Sequence, residues 1–137
     1  MAGQWGGLAT LLSFGVEGPG DIPQRYRLYL RSLPYFIALD DFIIVHAALN
    51  FHRDDPFADT EAMLWQRDCT VDPVRIGGRR LVSGHTPVTR EQLEASLKGG
   101  RIMLDNGCVF PPKAGFGSLT ALELNTLQLW YQENIDR

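Results

Sequence analysis

Hydrophobic positions along this chain recur first at a helical period and then in short β-branched runs, and the change near residue 35 separates its elements. Ile22, Tyr26, Tyr29, Leu30 and Leu33 follow one another at helical spacing, so residues 22–33 predict an amphipathic helix stopped before Pro34. Asp21 is placed as its N-cap, with Pro23 in the first turn. Ahead of it, residues 5–14 are helix-like and residues 15–20 form a Gly/Pro-rich loop. Residues 35–39 and 42–46 predict two strands joined by an Asp40-Asp41 turn. A polar loop over 50–60 leads to a short helix at 60–65. A second loop, with Asp72-Pro73 and Gly77-Gly78, precedes a strand at 80–83. Thr89 with Gln92 three residues on is a capping-box pattern, opening a helix through Leu97 that Gly99 is placed to end. The remainder predicts strands at 101–104, 108–110, 118–124 and 127–131, with Asn125-Thr126 as a tight turn between the last two.

No internal repeat or linker divides the 137 residues, which fit one domain able to bury a core. The order of elements predicts an α/β fold of mixed helix and strand layers. A formal charge of −3 gives no basic face, which argues against nucleic acid as the main partner. No apolar run approaches the roughly 20 residues that span a bilayer, and no charged n-region precedes an apolar stretch, so neither membrane span nor signal peptide is expected. Cys69 and Cys108 make neither a disulfide framework nor a CxxC motif; packed, reduced thiols in a cytoplasmic chain are the expectation.

Candidate chemistry concentrates in two segments, Phe42-Ile43-Ile44-Val45-His46-Ala47-Ala48-Leu49 and Arg80-Leu81-Val82-Ser83-Gly84-His85-Thr86-Pro87. Each is an apolar run that stops at a histidine next to small residues. Such a strand delivers its imidazole to the edge of a sheet, where the backbone turns and a ligand can approach. Neutral imidazole suits Zn, Mn, Fe and similar metals, while a histidine in an apolar strand can equally be a hydrogen-bonded core residue. Arg67, in Leu64-Trp65-Gln66-Arg67-Asp68, offers planar donors that suit two phosphate oxygens; its ordinary alternative is a solvated pair with Asp68. Asn106-Gly107 between apolar runs is a hairpin signal, with Asp105 structural beside it. His52, among Arg53, Asp54 and Asp55, is expected on the surface.

Taken in order, the two histidine segments, Leu104-Asp105-Asn106-Gly107-Cys108-Val109-Phe110 and Ser118-Leu119-Thr120-Ala121-Leu122-Glu123-Leu124 resemble the second half of the calcineurin-like metallophosphoesterases. The serine/threonine protein phosphatase branch is the nearest. Trp5-Gly6-Gly7-Leu8-Ala9-Thr10 is similar to a shortened form of that family's Trp-x-x-Asn-Gly-Gly-x-x-Thr helix, which carries the resemblance across nearly the whole chain. The resemblance implies the C-terminal half of a β-sandwich flanked by helices. It also implies two divalent transition-metal ions (Mn, Fe or Zn) about 3.5–4 Å apart at the strand ends. His46, in the family's His-Ala-Gly segment, and His85, in Gly-His-Thr-Pro, would bind the same one of the two metals. Ala48 stands where that first motif usually has glycine. Arg67, in the family's Trp-x-Arg element, would bind phosphate.

The implied activity is two-metal hydrolysis of phosphate monoesters, on phosphoserine or phosphothreonine in a phosphoprotein or on a small phosphate ester. A dinucleoside polyphosphate hydrolase and a non-catalytic binding remnant are the alternatives. The family's upstream Gly-Asp-x-His, Gly-Asp-x-x-Asp-Arg-Gly and Gly-Asn-His-Glu motifs do not occur here. Two neutral imidazoles cannot make a two-metal site, which needs carboxylates to bridge the ions and offset their charge. Residues 1–137 are therefore expected to be a single partial domain, inactive alone and holding one weak metal or none. A missing N-terminal half, truncated or supplied by another chain, would complete it. Open sheet edges are expected to favour homo-oligomers.

Overall fold

The computed structural model describes residues 7–110 and 113–135. They fall in two compact units, Met1–Pro34 and Tyr35–Arg137. The first holds helices α1, Gly7–Phe14, and α2, Gln24–Ser32, with a single 3-10 turn at Pro19–Asp21 between them. Phe14 and Tyr26 join them edge to face, ring centroids 5.0 Å apart. Asp21 does not cap α2. Its carboxylate accepts from the Gly18 amide at 3.2 Å and closes the 3-10 turn, and Pro23 is the residue ahead of the helix. The helical period of α2 is real, yet none of its residues is buried. Trp5 and Gly6 lie outside the described residues.

The second unit is built on a four-stranded sheet of β1 (Phe36–Ala38), β2 (Phe42–Val45), β3 (Arg80–Ser83) and β4 (Arg101–Met103), in the order β1-β2-β3-β4. β1 and β2 are an antiparallel hairpin, closed across Asp40-Asp41 by the Leu39 amide donating to the Phe42 carbonyl at 2.8 Å. β2, β3 and β4 run parallel. Parallel neighbours need crossovers, and helices α3 (Thr60–Trp65) and α4 (Arg90–Ser96) lie within them. Both helices are capped from their own sequence. Asp59 Oδ1 accepts from the Ala62 amide at 3.1 Å, and Thr89 and Gln92 form the reciprocal box at 3.2 and 3.0 Å. Hydrogen bonds from the Asn50 side chain and the Ala62 amide hold the Asp59 carboxyl below its usual range.

The unbroken apolar run of β2 places one face in the core and the other, half-buried, toward a cleft. Ile43 and Leu81, paired in register, are fully buried and join Val45, Leu49, Met63 and Ile76 in the core. Ile44 and Val82 turn to the other face and line a cleft. β5 (Ser118–Leu122) and β6 (Leu129–Glu133) form a separate antiparallel ribbon. The Thr120 hydroxyl donates to the Leu104 carbonyl, and the Arg90 guanidinium lies 4.1 Å from the centre of the Tyr131 ring.

Two expected elements differ. Residues 108–110 form a turn rather than a strand, because Asn106 buries its side chain instead of projecting it from a hairpin. Its Nδ2 donates to the carbonyls of Val88 (3.0 Å) and Gly115 (2.7 Å), and its Oδ1 accepts from the Ser118 amide (3.1 Å). Only the glycine half of the hairpin signal is used, with Gly107 at φ +67°. The last strand begins at Leu129, two residues later than expected, since the turn runs on to Leu127 at φ +56°. The mixed α/β class holds. Among the described residues no helix is long and apolar enough to cross a membrane.

Candidate functional site

Three parallel strands end side by side, and each is followed within two residues by a titratable side chain: His46 after β2, His85 after β3 and Asp105 after β4. The carboxyl ends of parallel strands are where α/β sheets gather ligands, because there the chains diverge into loops and leave a crevice. Here the crevice is a cleft of ≈ 330 Å³ lined by all three residues and walled by Cys108, Ser118 and Thr120.

The two imidazoles meet. His46 Nε2 and His85 Nδ1 are 3.1 Å apart, with the rings inclined at 63°. The sequence folds this way for local reasons. The Gly84 amide donates to the His46 carbonyl at 2.9 Å, extending the β2–β3 pairing one step past the ladder. Gly84 also lies against Asp105; a Cβ there would come within 3.7 Å of the Asp105 Cβ and of the His46 carbonyl. His85 then takes φ +65°, a left-handed conformation uncommon for a residue with a Cβ. Such strain persists only where the surroundings over-determine it. Trp65, at the end of α3, meets the His85 ring edge to face at 5.9 Å. Behind His46, residues Ala47, Ala48 and Leu49 are fully buried, and the Ala47 amide donates to the Met63 carbonyl at 2.9 Å. Ala48 has no positive φ, so its methyl group needs no glycine.

Burial first, and then the neighbouring His85, lower the pKa of His46, against a smaller raising effect of Asp105. The neutral ring is thereby favoured, the form that binds a metal or shares a proton with another imidazole. The spacing suits a metal. Two nitrogens bound to one ion at about 2.0–2.1 Å lie roughly 2.8–3.4 Å apart, from adjacent octahedral to tetrahedral positions. It suits a direct N–H···N bond equally. Among the described residues no group of three or more His, Cys, Asp or Glu side chains is arranged to hold an ion, so the fit covers two ligands of a set.

Arg67 is exposed and does not line the cleft. It makes no ion pair with Asp68 among the described residues; its carbonyl accepts from Arg101 Nη1 at 3.2 Å. His52 is exposed, as expected. Cys69 is packed against the core, its Sγ donating to the Leu49 carbonyl at 3.6 Å, and burial raises its pKa. Asp105 holds the expected structural turn, with Oδ1 accepting from the Gly107 amide at 2.8 Å, and lines the cleft as well. Its second role was legible only as a third strand end in line with the two histidines. Comparison with protein-family models, with curated proteins and with solved structures finds no match to this chain.

Proposed function

We propose that this chain supplies part of a metal-dependent phosphoesterase site, with His46 and His85 as two ligands of one divalent transition-metal ion. The observation that carries the reading is the 3.1 Å approach of His46 Nε2 to His85 Nδ1 at the ends of adjacent parallel strands. The motif order of the sequence supplies the reaction class: hydrolysis of a phosphate monoester, with a phosphorylated serine or threonine as substrate. Bound metal would polarise the phosphoryl group and lower the pKa of an attacking water. Arg67, in the extended segment after α3, is the donor to the phosphate oxygens that the motif order suggests; its side chain is exposed and outside the cleft lining, so it would have to turn toward bound substrate. A finished two-metal site requires bridging carboxylates beyond this pair, so this chain alone binds one ion weakly and is inactive.

Hydrolysis of an aryl phosphate with added Mn²⁺ tests the reading. The chain alone is expected to match its His85→Ala variant. Fused to a segment carrying the three upstream motifs, it is expected to turn over substrate and to lose most of that activity on His85→Ala. A fusion that folds and binds Mn²⁺ but gives His85-independent turnover, or none, would contradict it. Metal stoichiometry separates the non-catalytic alternative: about two ions per assembled enzyme site, against one or none for a binding remnant.

A further inference from the structure

Arg101 opens β4, and its guanidinium reaches three segments that carry the candidate site. Nε donates to Ser83 Oγ at 2.9 Å, Nη2 to the Ala47 carbonyl at 3.1 Å and Nη1 to the Arg67 carbonyl at 3.2 Å. Ala47 directly follows His46. Ser83 lies two residues before His85. Arg67 lies two residues beyond Trp65, whose ring meets His85. No carboxylate among the described residues is within ion-pair distance of Arg101, so its bonding is to neutral oxygens.

We propose that Arg101 is a positioning residue that sets the His46–His85 distance, an inference that rests on reading the pair as the binding site. The β2–β3 ladder ends at Val45 and Ser83, and one further bond, from the Gly84 amide to the His46 carbonyl, carries the pairing to the histidines. Past that point the two chains part, one toward α3 and the other into Thr86-Pro87. Arg101 ties them where the ladder stops. A planar guanidinium spreads its donors over three nitrogens and so reaches acceptors on three separate segments, whereas the three N–H donors of a lysine ammonium sit on one atom at the end of a flexible stem. Groups that hydrogen-bond the rings of metal-binding histidines set ring orientation, and losing them commonly lowers metal affinity about 10- to 100-fold; Arg101 acts one step further back, on the segments that carry the rings.

The test compares Arg101→Lys, which keeps charge and loses the fork, with Arg101→Met, which loses both. The first readout is the nuclear Overhauser effect between the His46 and His85 ring protons in metal-free protein; the second is Co²⁺ affinity. Both variants are expected to weaken the ring contact and to lower Co²⁺ affinity about 10-fold or more. Ser83→Ala, which removes one acceptor, should shift both the same way by less, and it decides the matter if the Arg101 variants do not fold. Thr89→Ala, a destabilising change at the N-cap of α4, should leave the ring contact intact. Wild-type ring contact in both Arg101 variants, or in Ser83→Ala should it stand alone, would overturn the proposal. So would equal loss in Thr89→Ala, or tighter Co²⁺ binding by Arg101→Met with Arg101→Lys unchanged, which would make the effect one of charge. A wild-type chain that shows the ring contact but binds no Co²⁺ would sink the metal reading alone, and the ring contacts of the variants would still decide the role of Arg101.

Discussion

Helix α2 carries a regular apolar period and strand β3 a short apolar run, and the molecule treats them in opposite ways. Leu30 of α2 is 64% exposed, while Leu81 of β3 is 0% exposed. A periodic pattern states which face of an element is apolar. It does not state that a partner is there to cover it. β3 sits between β2 and β4 and is covered on both faces, so its apolar residues serve stability and its end serves the cleft. The apolar stripe of α2 is covered far less: Tyr26 meets Phe14, but Tyr26, Tyr29 and Leu30, with Leu33 just past the helix, are all exposed. The candidate site lies at the end of the element whose backbone is held from both sides, as a precise two-ring geometry requires.

Truncation sharpens this contrast most. Leu81→Ala should lose about 2–5 kcal/mol of stability by removing a fully buried side chain, whereas Leu30→Ala should stay within about 0.5 kcal/mol. Urea denaturation of the two variants checks it, and equal losses would break the comparison. A smaller effect separates strain from packing at the strand end. His85→Gly and His85→Ala both delete the ring, but only glycine relieves the left-handed backbone, so the glycine variant should be the more stable by about 1 kcal/mol. Equal midpoints would mean that the loop relaxes out of that conformation.

The smallest effect is a pH dependence. The folded chain lowers the pKa of His46, so it favours the neutral ring. The resulting stability is complete above the unfolded value of about 6.5 and is lost as pH falls through the lower folded value. Wild type should therefore lose more stability than His46→Gln between neutral and mildly acidic pH. Parallel losses would show that the His46 ring is as solvated in the folded chain as in the unfolded one.

What was legible in the sequence was local. The strand ends at His46 and His85, helix α3 and the Thr89–Gln92 cap all follow from residues within a few positions of one another. What escaped depends on partners far along the chain. Asn106 looks like half of a hairpin turn, since tolerance of positive φ is the same in any tight turn; that its amide bonds to Val88, Gly115 and Ser118 is a matter of tertiary placement. Arg101 opens an ordinary strand, and nothing near it announces acceptors at residues 47, 67 and 83. Arg67, singled out by its motif, lies outside the cleft lining, because a motif fixes a residue's position and not its side-chain direction. The end of α2 was legible as well, but Asp21 was misassigned because an N-cap and a 3-10 turn draw on the same short carboxylate.

The most direct measurement is a Co²⁺ titration of the purified chain, followed by visible absorption, beside His46→Ala and His85→Ala. One weakly bound ion per chain, with affinity at least about 10-fold lower in either variant, is the result predicted for a two-imidazole half-site. Superimposable curves for wild type and both variants would contradict it, and would leave the His46–His85 contact as a hydrogen bond between two rings.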